Sequence, residues 1–168
     1  MCVWTPEMFE LSKGPERYLA EYNTIQAGKQ RVQVFEGAIT AFQEVQTLEH
    51  FSDTKIAVAS ATQHRSWAET CLSMFELPSG AKLADMVEFS AIYPKRKTKH
   101  FAQLQKESGI PYNQMLFFDD CTYGDNCGVV ERGCPGVVTV RTPEGMTNEN
   151  WRTGLAKFAA AQAALEKP

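Results

Sequence analysis

The chain has 168 residues, of which 43% are hydrophobic and 22% charged, and these are the proportions of one globular domain. Its formal net charge of −3 gives no electrostatic basis for binding nucleic acid or an anionic membrane. No apolar stretch approaches the roughly 20 residues of a membrane span. The five cysteines form no even disulfide framework, which favours reduced thiols in a cytoplasmic protein.

The first half of the chain combines turn signals with one helix and one strand. Turn residues at KGP and AGK predict a loop or hairpin over Thr5 to Phe35. The stretch Lys55 to Ser60, KIAVAS, is short, apolar and β-branched, which is typical of a buried parallel strand. Between them, GAITAFQEVQTLEHF predicts an amphipathic helix whose apolar face carries Ala38, Ile39, Phe42, Val45 and Leu48.

Helices and strands continue to alternate in the second half. HRSWAETCLSMFEL predicts a helix, MVEFSAIYP a strand, and KTKHFAQLQKESG a helix with Thr98 as N-cap and Gly109 as C-terminal stop. MLFF and GVVTV predict strands, and DNCGVVERG a short helix. The last helix carries an inner stripe of Trp151, Leu155, Phe158 and Leu165. This alternation predicts a single α/β domain with a mostly parallel sheet between two layers of helices.

Polar residues follow the predicted strands at their carboxyl ends, where parallel sheets bind ligands. Ser60 ends KIAVAS just before a helix, whose free N–H groups can bind phosphate, although a helix-cap or turn serine is the simpler alternative. Lys97 lies in the loop PKRKTKH and can reach across the strand ends. A solvated charge cluster is its alternative, and spacing alone does not distinguish it from Lys95, Arg96 and Lys99.

Two adjacent carboxylates, Asp119 and Asp120, end the apolar strand MLFF. An uncompensated pair at a buried strand end is costly, because both groups lose hydration and repel each other. Oxygen ligands at such a position favour Mg²⁺. Since successive side chains of a strand point to opposite faces, one aspartate is expected to touch the ion and the other to orient loops around it. Helix capping by one and a surface salt bridge by the other is the alternative.

The segment from Tyr93 to Asp120 resembles the magnesium-dependent phosphatase (type one) branch of the haloacid dehalogenase (HAD) superfamily. It reads YPKRKTKHFAQLQKESGIPYNQMLFFDD, and a Tyr-Pro, a lysine, a His-Phe, a Gly-Ile-Pro and a Phe-Phe-Asp-Asp recur in that family in this order. The later GLAKFAAAQ is similar to the family's closing helix, so the resemblance covers nearly the whole chain. It implies a HAD-like Rossmannoid α/β/α fold. The short spacings between Trp4 and KIAVAS and between Ser60 and Lys97 leave no room for a large cap domain.

The resemblance also implies roles for individual residues. Ser60 in VASAT matches the phosphate-binding serine, and Lys97 matches the catalytic lysine that neutralises the phosphate. Asp119 and Asp120 match the acidic pair that binds Mg²⁺. Ala61 follows the serine in the phosphate-binding loop where several members carry arginine, so this substrate contact is expected to be weaker.

The start of the sequence, MCVWTPEMFEL, departs from the family pattern. Cys2 to Trp4 match residues just beyond the family's Phe-Asp-x-Asp strand, so the nucleophilic aspartate and the acid–base aspartate have no counterpart in this sequence. Glu7 and Glu10 are expected in a loop past the site and are not substitutes. Without that central strand, two strand edges are expected to face each other across about 10 Å, twice the spacing of paired strands.

Other phosphatase chemistries fit the sequence less well. Cys127 and Arg132 are one residue too close for a Cys-x-x-x-x-x-Arg loop, and the cysteines lack the spacing of zinc pairs. All five cysteines are therefore interpreted as structural, and His64 and His100 as surface or packing residues. A nucleotide-binding flavodoxin-like module is disfavoured, since no glycine-rich phosphate loop follows a strand.

The expected function is a Mg²⁺-dependent phosphomonoesterase that works through an aspartyl-phosphate in intact members. The resemblance implies substrates such as protein phosphotyrosine or fructosamine phosphate, hence a phosphoprotein or phosphorylated small molecule as partner and no nucleic acid or membrane. The alternative is a catalytically inactive, truncated HAD-like protein that binds phosphate or regulates, or an incomplete gene model.

Overall fold

The computed structural model describes residues 2–166. Its first part is a small antiparallel sheet of four short strands in the order β1-β4-β3-β2. The strands are β1 (Trp4–Thr5), β2 (Arg17–Leu19), β3 (Thr24–Ala27) and β4 (Gln30–Val34). The hairpin predicted around AGK is the β3–β4 connection, where Gly28 adopts a left-handed φ of 60°. The stretch from Thr5 to Phe35 is thus more ordered than the predicted loop or hairpin, because β1 and β2 pair with the two edges of that hairpin.

The second part alternates helices with parallel strands. Its elements are α1 (Glu36–Thr47), β5 (Ile56–Ser60), α2 (Arg65–Met74), α3 (Leu83–Met86), β6 (Val87–Ile92), α4 (Lys97–Ser108), β7 (Leu116–Asp119), α5 (Asn126–Gly133), β8 (Val138–Arg141) and α6 (Asn148–Leu165). Every helix and strand predicted in this part is present, with ends shifted by a few residues. The α/β class of the prediction is confirmed.

The parallel strands form two separate pairs. β5 pairs with β6, and β7 pairs with β8. Within residues 2–166 no hydrogen-bonded strand connects one pair to the other. The single open sheet of the prediction is therefore divided in the middle, between β5 and β7.

Helices cover the strand pairs on two sides. On β7, Phe117 packs edge-to-face against Phe101 of α4 at a centroid distance of 5.0 Å. The next residue, Phe118, packs against Trp151 of α6 at 5.9 Å. Because neighbouring side chains of a strand point to opposite faces, α4 and α6 lie on opposite sides of β7. The three-layer arrangement of the prediction follows from these contacts.

Three details of the predicted helices are wrong. Leu48, predicted on the apolar face of the first helix, is the C-cap residue that follows α1 and is 40% exposed. α4 begins at Lys97 with Arg96 in the cap position, so Thr98 is already inside the first turn and is not the N-cap. Leu165 is 60% exposed at the end of α6, beyond the strands that the helix covers, and is not part of its inner stripe. Gly109 is the C-cap of α4 as predicted, with a left-handed φ of 71°. No helix in the described part of the chain is long and apolar enough to cross a bilayer.

Candidate phosphate and metal site

Lys97 connects the carboxyl ends of the two strand pairs. Its Nζ donates to the main-chain carbonyl of Ala59 in β5 at 2.5 Å and lies 3.1 Å from Oδ2 of Asp119, the last residue of β7. Lys97 and Asp119 are both only 7% exposed. The four parallel strands therefore end at one common edge, with a buried ammonium–carboxylate pair between them.

The position of Lys97 follows from the start of α4. As the first helical residue it lies directly above the strand ends, whereas Lys95, Arg96 and Lys99 are exposed. Lysine is almost never fully buried unless it is paired. Spacing alone did not show which basic residue of this loop reaches the strand ends. The structure shows that it is Lys97.

The Asp119 carboxylate is fixed on both oxygens. Oδ1 accepts hydrogen bonds from the amide of Cys121 at 2.9 Å and from Nδ2 of Asn126 at 3.0 Å, while Oδ2 faces Lys97. Burial by itself would raise the pKa of Asp119, but the Lys97 charge and these two donors outweigh it and hold the pKa below its ordinary value of 3.8. Asp119 is therefore an ionised, pre-oriented carboxylate.

Asp120 begins the loop that follows β7. Its Oδ1 accepts a hydrogen bond from the amide of Thr122 at 2.8 Å, and its side chain is half-buried beside the cavity. The loop turns sharply here, since Cys121 adopts a left-handed φ of 55°. The two aspartates thus have different partners, as strand alternation predicts, and neither is a helix cap.

Ser60 lies on the same edge, one residue after the carbonyl that Lys97 contacts. α2 begins only at Arg65 with His64 in the cap position, so Ser60 does not cap that helix. Its Oγ accepts a long hydrogen bond of 3.4 Å from the amide of Thr62. Ser60, Ala61 and Thr62 all line the cavity that Lys97 and Asp119 also line.

His100 contacts main-chain carbonyls next to this edge, and sequence reasoning did not predict it as part of the site. The ring is fully buried, with Nε2 3.0 Å from the Ser60 carbonyl and 2.9 Å from the Tyr93 carbonyl, and Nδ1 3.1 Å from the Arg96 carbonyl. It also stacks on Tyr93 at 4.3 Å. His100 therefore holds the end of β5 and the loop before α4 together.

Cys2 and Asn126 are the other residues that sequence reasoning missed. The Cys2 thiol lies close enough to Thr142, Asp119 and Lys97 for all three to influence it; burial and the Asp119 charge raise its pKa to about 11. It is thus a protonated thiol at ordinary pH. Asn126 donates a hydrogen bond to the Asp119 carboxylate. The sequence offered one sign of this contact, because the turn-rich stretch DCTYGDN between the two residues can fold Asn126 back toward Asp119.

Mg²⁺ fits the oxygen chemistry of Asp119 and Asp120, but these residues supply only part of a coordination shell. Mg²⁺ prefers carboxylate oxygens and usually keeps several waters. Over residues 2–166 there is no group of three or more histidine, cysteine, aspartate or glutamate side chains that could hold a metal. The two aspartates can therefore contribute ligands without enclosing an ion.

The fold and these residues define an α/β protein with a basic, an acidic and a hydroxyl group at the carboxyl edge of its parallel strands, the edge at which such sheets bind ligands. The sequence model of the acid phosphatase family matches residues 1–161. The chain therefore belongs to the acid phosphatase family.

Two relatives and one solved structure are similar to the chain. Human magnesium-dependent phosphatase 1 is 34% identical over 106 residues, which are 63% of this chain and 54% of that protein. A HAD-like hydrolase superfamily protein of Schizosaccharomyces pombe is 35% identical over 68 residues, 39% of this chain and 40% of that protein. The chain thus spans about half the length of these relatives.

The solved structure is the N-terminal part of a Bacteroides fragilis protein that contains a phosphatase domain complexed with Mg. It superposes with a TM-score of 0.59 at 17% identity and covers 92% of this chain and 36% of that chain. This likeness supports the α/β HAD-like fold.

Proposed function

We propose that the chain provides the phosphate- and Mg²⁺-binding edge of a phosphomonoesterase. The observation that carries the proposal is the buried Lys97 ammonium, which lies between the strand carrying Ser60 and the Asp119 carboxylate. A phosphoryl group at this edge meets one cation, one hydroxyl donor and two carboxylates suited to a metal. The names of the human and Bacteroides fragilis proteins, which mention magnesium, support the same choice of metal.

Each side chain has a separate task in this proposal. The Ser60 hydroxyl donates to a phosphoryl oxygen, and the Lys97 ammonium neutralises its charge while Asp119 keeps that ammonium in place. Asp119 and Asp120 hold the metal, which when bound supplies further positive charge opposite the phosphoryl oxygens. Ala61 leaves the phosphate-binding loop without the arginine of several relatives, so this loop contributes hydrogen bonds and no additional charge.

The chemical step needs a nucleophile in line with the leaving oxygen. The 168-residue sequence contains no Phe-Asp-x-Asp motif. We therefore expect hydrolysis of para-nitrophenyl phosphate by this chain to equal a blank without enzyme, and grafting a Phe-Asp-Leu-Asp-Gly strand ahead of Cys2 to restore it.

The grafted protein permits matched controls. Replacing its first grafted aspartate by asparagine removes the nucleophile, and Lys97→Met removes the phosphate-neutralising charge, so both are expected to abolish the restored activity. Lys95→Met, an exposed neighbour in the same loop, is expected to retain it. Equal activity with and without the graft would overturn the assignment of the nucleophile.

A second candidate is a phosphate-binding or regulatory protein without turnover. It is favoured by the combination of a complete Ser60–Lys97 edge with a sequence that lacks the Phe-Asp-x-Asp motif. Calorimetric titration of the 168-residue chain with inorganic phosphate tests it: binding that Lys97→Met abolishes, together with no activity after grafting, would favour this candidate over the enzyme.

The substrate class and compartment are part of the same proposal. The free thiols of the five cysteines, all among the described residues, support a reducing compartment such as the cytoplasm. A phosphoryl group on an exposed carrier, such as a protein phosphotyrosine or a fructosamine phosphate, is the proposed substrate.

A further inference from the structure

Two of the five cysteines contact each other in the loop that follows β7. The Cys127 amide donates to Sγ of Cys121 at 3.4 Å, and the Cys127 thiol donates to the same sulfur. All five cysteines are free thiols. The fold therefore brings together two sulfur atoms from positions six residues apart in the sequence.

Each of these two residues is held in position by the main chain around it. Cys121 adopts a left-handed φ of 55°, and its amide donates to Oδ1 of Asp119 at 2.9 Å. Cys127 lies in the first turn of α5, which Asp125 caps by accepting a hydrogen bond from the Gly128 amide at 2.9 Å. One sulfur is thus fixed by the end of β7 and the other by the start of α5.

The loop between the two cysteines can absorb the movement that a covalent bond requires. An S–S bond is about 2.0 Å long, so the sulfur atoms must approach each other more closely than in a hydrogen bond. Residues 122 to 125 are all exposed, and Gly124, with a positive φ of 127°, has open space on its Cβ side. A disulfide can therefore form by side-chain rotation and a shift of this loop, while β7 and α5 stay in place.

The two thiols differ in accessibility. Cys121 is partly accessible, whereas Cys127 is 1% exposed and lies in an apolar cluster with Phe101 and Val130. Burial, reinforced by the neighbouring Cys121 thiol, raises the pKa of Cys127 to about 12, so Cys127 is a protonated thiol at ordinary pH. An oxidant in solution therefore reaches and oxidises Cys121 first.

We propose that Cys121 and Cys127 are a redox pair, in which a hydroperoxide oxidises Cys121 and Cys127 then forms a reversible disulfide with it. The sequence alone indicated five structural cysteines, and the contact assigns a reaction to two of them. In a reducing compartment such a disulfide is transient and redox-sensing. The pair needs neither metal nor phosphate, so it is independent of the phosphomonoesterase proposal.

The reaction balances with one hydroperoxide molecule. The Cys121 sulfur attacks one peroxide oxygen, so that an S–O bond forms while the O–O bond breaks, and the thiol proton leaves with the other oxygen as water or an alcohol. The Cys127 sulfur then attacks the sulfenic acid on Cys121. The S–S bond forms, the S–O bond breaks, and the departing oxygen takes the Cys127 proton as water. Two electrons pass from the two sulfurs to the peroxide.

The disulfide closes a ring beside the candidate metal site. The Cys121 amide and the Asn126 side chain, which both donate to Oδ1 of Asp119, belong to residues of that ring. Asp120 directly precedes it in the sequence. Oxidation of the pair therefore restrains the segment that positions the Asp119 carboxylate.

Peptide mapping of the native protein after treatment with limiting hydrogen peroxide tests the proposal. Trypsin cleaves after Lys106 and Arg132, so Cys121 and Cys127 share one peptide, and each of the other three cysteines lies in a different peptide. After alkylation of the remaining thiols in denaturant, the shared peptide is expected to be lighter than its dithiol form by two hydrogens and to carry no alkyl group. Dithiothreitol added before alkylation is expected to restore both thiols.

Single serine variants establish the order of the two steps. In Cys127→Ser the oxidation is expected to stop at the sulfenic acid, so dimedone labels Cys121. In Cys121→Ser the buried Cys127 is expected to react with dimedone at least about tenfold less. Cys134→Ser changes another buried cysteine of the same cluster and is the matched control, which is expected to form the disulfide normally. Far-UV circular dichroism shows that each variant is folded.

Each of four other results would overturn the proposal. Labelling of Cys127 by dimedone as fast as Cys121 would show that the order of the steps is wrong. A disulfide from either residue to another cysteine, or between two copies of the chain, would exclude the pairing. An equal yield in urea-unfolded protein would show that sequence spacing, and not the fold, brings the thiols together. Oxidised thiols without any disulfide would exclude the second step.

Discussion

The Lys97–Asp119 pair is a buried ion pair whose members come from the start of α4 and the end of β7. Removing one member of a buried pair leaves an uncompensated charge and typically costs about 3–5 kcal/mol. We therefore expect Lys97→Met and Asp119→Asn each to lower the free energy of unfolding by that amount. The double variant is expected to lose much less than the sum, which urea denaturation in a double-mutant cycle measures. Additive losses would show that the two side chains do not interact in solution.

The same carboxylate predicts how stability depends on pH. The pKa of Asp119 is lowered in the folded protein, because Lys97, Asn126 and Cys121 outweigh the effect of burial. Its contribution is therefore fully present above the unfolded-state pKa, near 3.8, and is lost as pH falls through the lower folded-state value. The stability difference between the unmodified protein and Asp119→Asn is expected to be constant from pH 5 to pH 7 and to shrink below about pH 4.

An exposed carboxylate is the control for that experiment. Glu16 also has a lowered pKa, from its ion pair with Lys13 and its bond to the Gly28 amide, but it is exposed to solvent. Glu16→Gln is expected to change stability only slightly at any pH. A pH dependence of similar size for both variants would contradict the special position of Asp119.

Metal affinity is a third property of these residues. Asp119 and Asp120 are too few ligands to compete well with the hydration of Mg²⁺. We expect calorimetric titration of the 168-residue chain to show binding weaker than micromolar, and Asp120→Asn to weaken it further. Micromolar affinity in this chain would mean that other groups complete the coordination shell.

At the scale of elements, sequence patterns predicted the interior of each helix and strand better than its exact ends and its pairing partners. The apolar character of KIAVAS and MLFF and the glycine stop at Gly109 are local properties, so they could be predicted. The start of α4 at Lys97 could not, because Thr98 is the better capping residue and tertiary contacts of Lys97 decide the boundary. The pairing of β1 and β2 with the β3–β4 hairpin is likewise non-local.

The contact between α6 and β7 gives a prediction at this scale. Gly154 of α6 lies so close to Phe118 that an added Cβ would be 2.5 Å from Cζ of the ring. Gly154→Ala therefore requires α6 or Phe118 to move, although alanine favours the helix, and we expect a net loss of about 1–3 kcal/mol. Thermal denaturation measures it. Thr153→Ala, at the adjacent exposed position, is expected to change stability little, and a stabilised Gly154→Ala would show that Phe118 moves without cost.

At the scale of the whole molecule, the sequence predicted which strand ends carry polar residues. It did not predict the side-chain contacts that connect those strand ends. Ser60, Lys97 and Asp119 follow from strand ends and the family resemblance, whereas the choice of Lys97 over its basic neighbours depends on a hydrogen bond to a carbonyl 38 residues away. His100 and Cys2 were missed for the same reason, since their partners are main-chain carbonyls and side chains from distant segments. The division of the sheet between β5 and β7 agrees with the unpaired edges expected from the family comparison.

The mouth of the cavity is bordered by an exposed aromatic pair from two distant loops. Phe9 is 55% exposed and Tyr123 70% exposed, and their rings meet edge-to-face at 5.4 Å. Both residues line the cavity together with Ala61 and Asp120. Within residues 2–166 no other segment covers this pair, so this entrance to the cavity is open.

The substrate preference of the strand-grafted protein follows from this entrance. We expect it to hydrolyse a phosphotyrosyl peptide or a glycated-lysine phosphate with higher kcat/KM than free phosphoglycolate, because an open site gains little from enclosing a small metabolite. Phe9→Ala and Tyr123→Ala are each expected to raise KM for the phosphotyrosyl peptide about fivefold with kcat unchanged, since one aromatic contact contributes about 1 kcal/mol. Tyr22→Ala removes an equally exposed ring that does not line the cavity, and should leave KM unchanged. A strong preference for phosphoglycolate would show that a segment closes over the site during catalysis, with the sheet formed by β1 to β4 the nearest candidate.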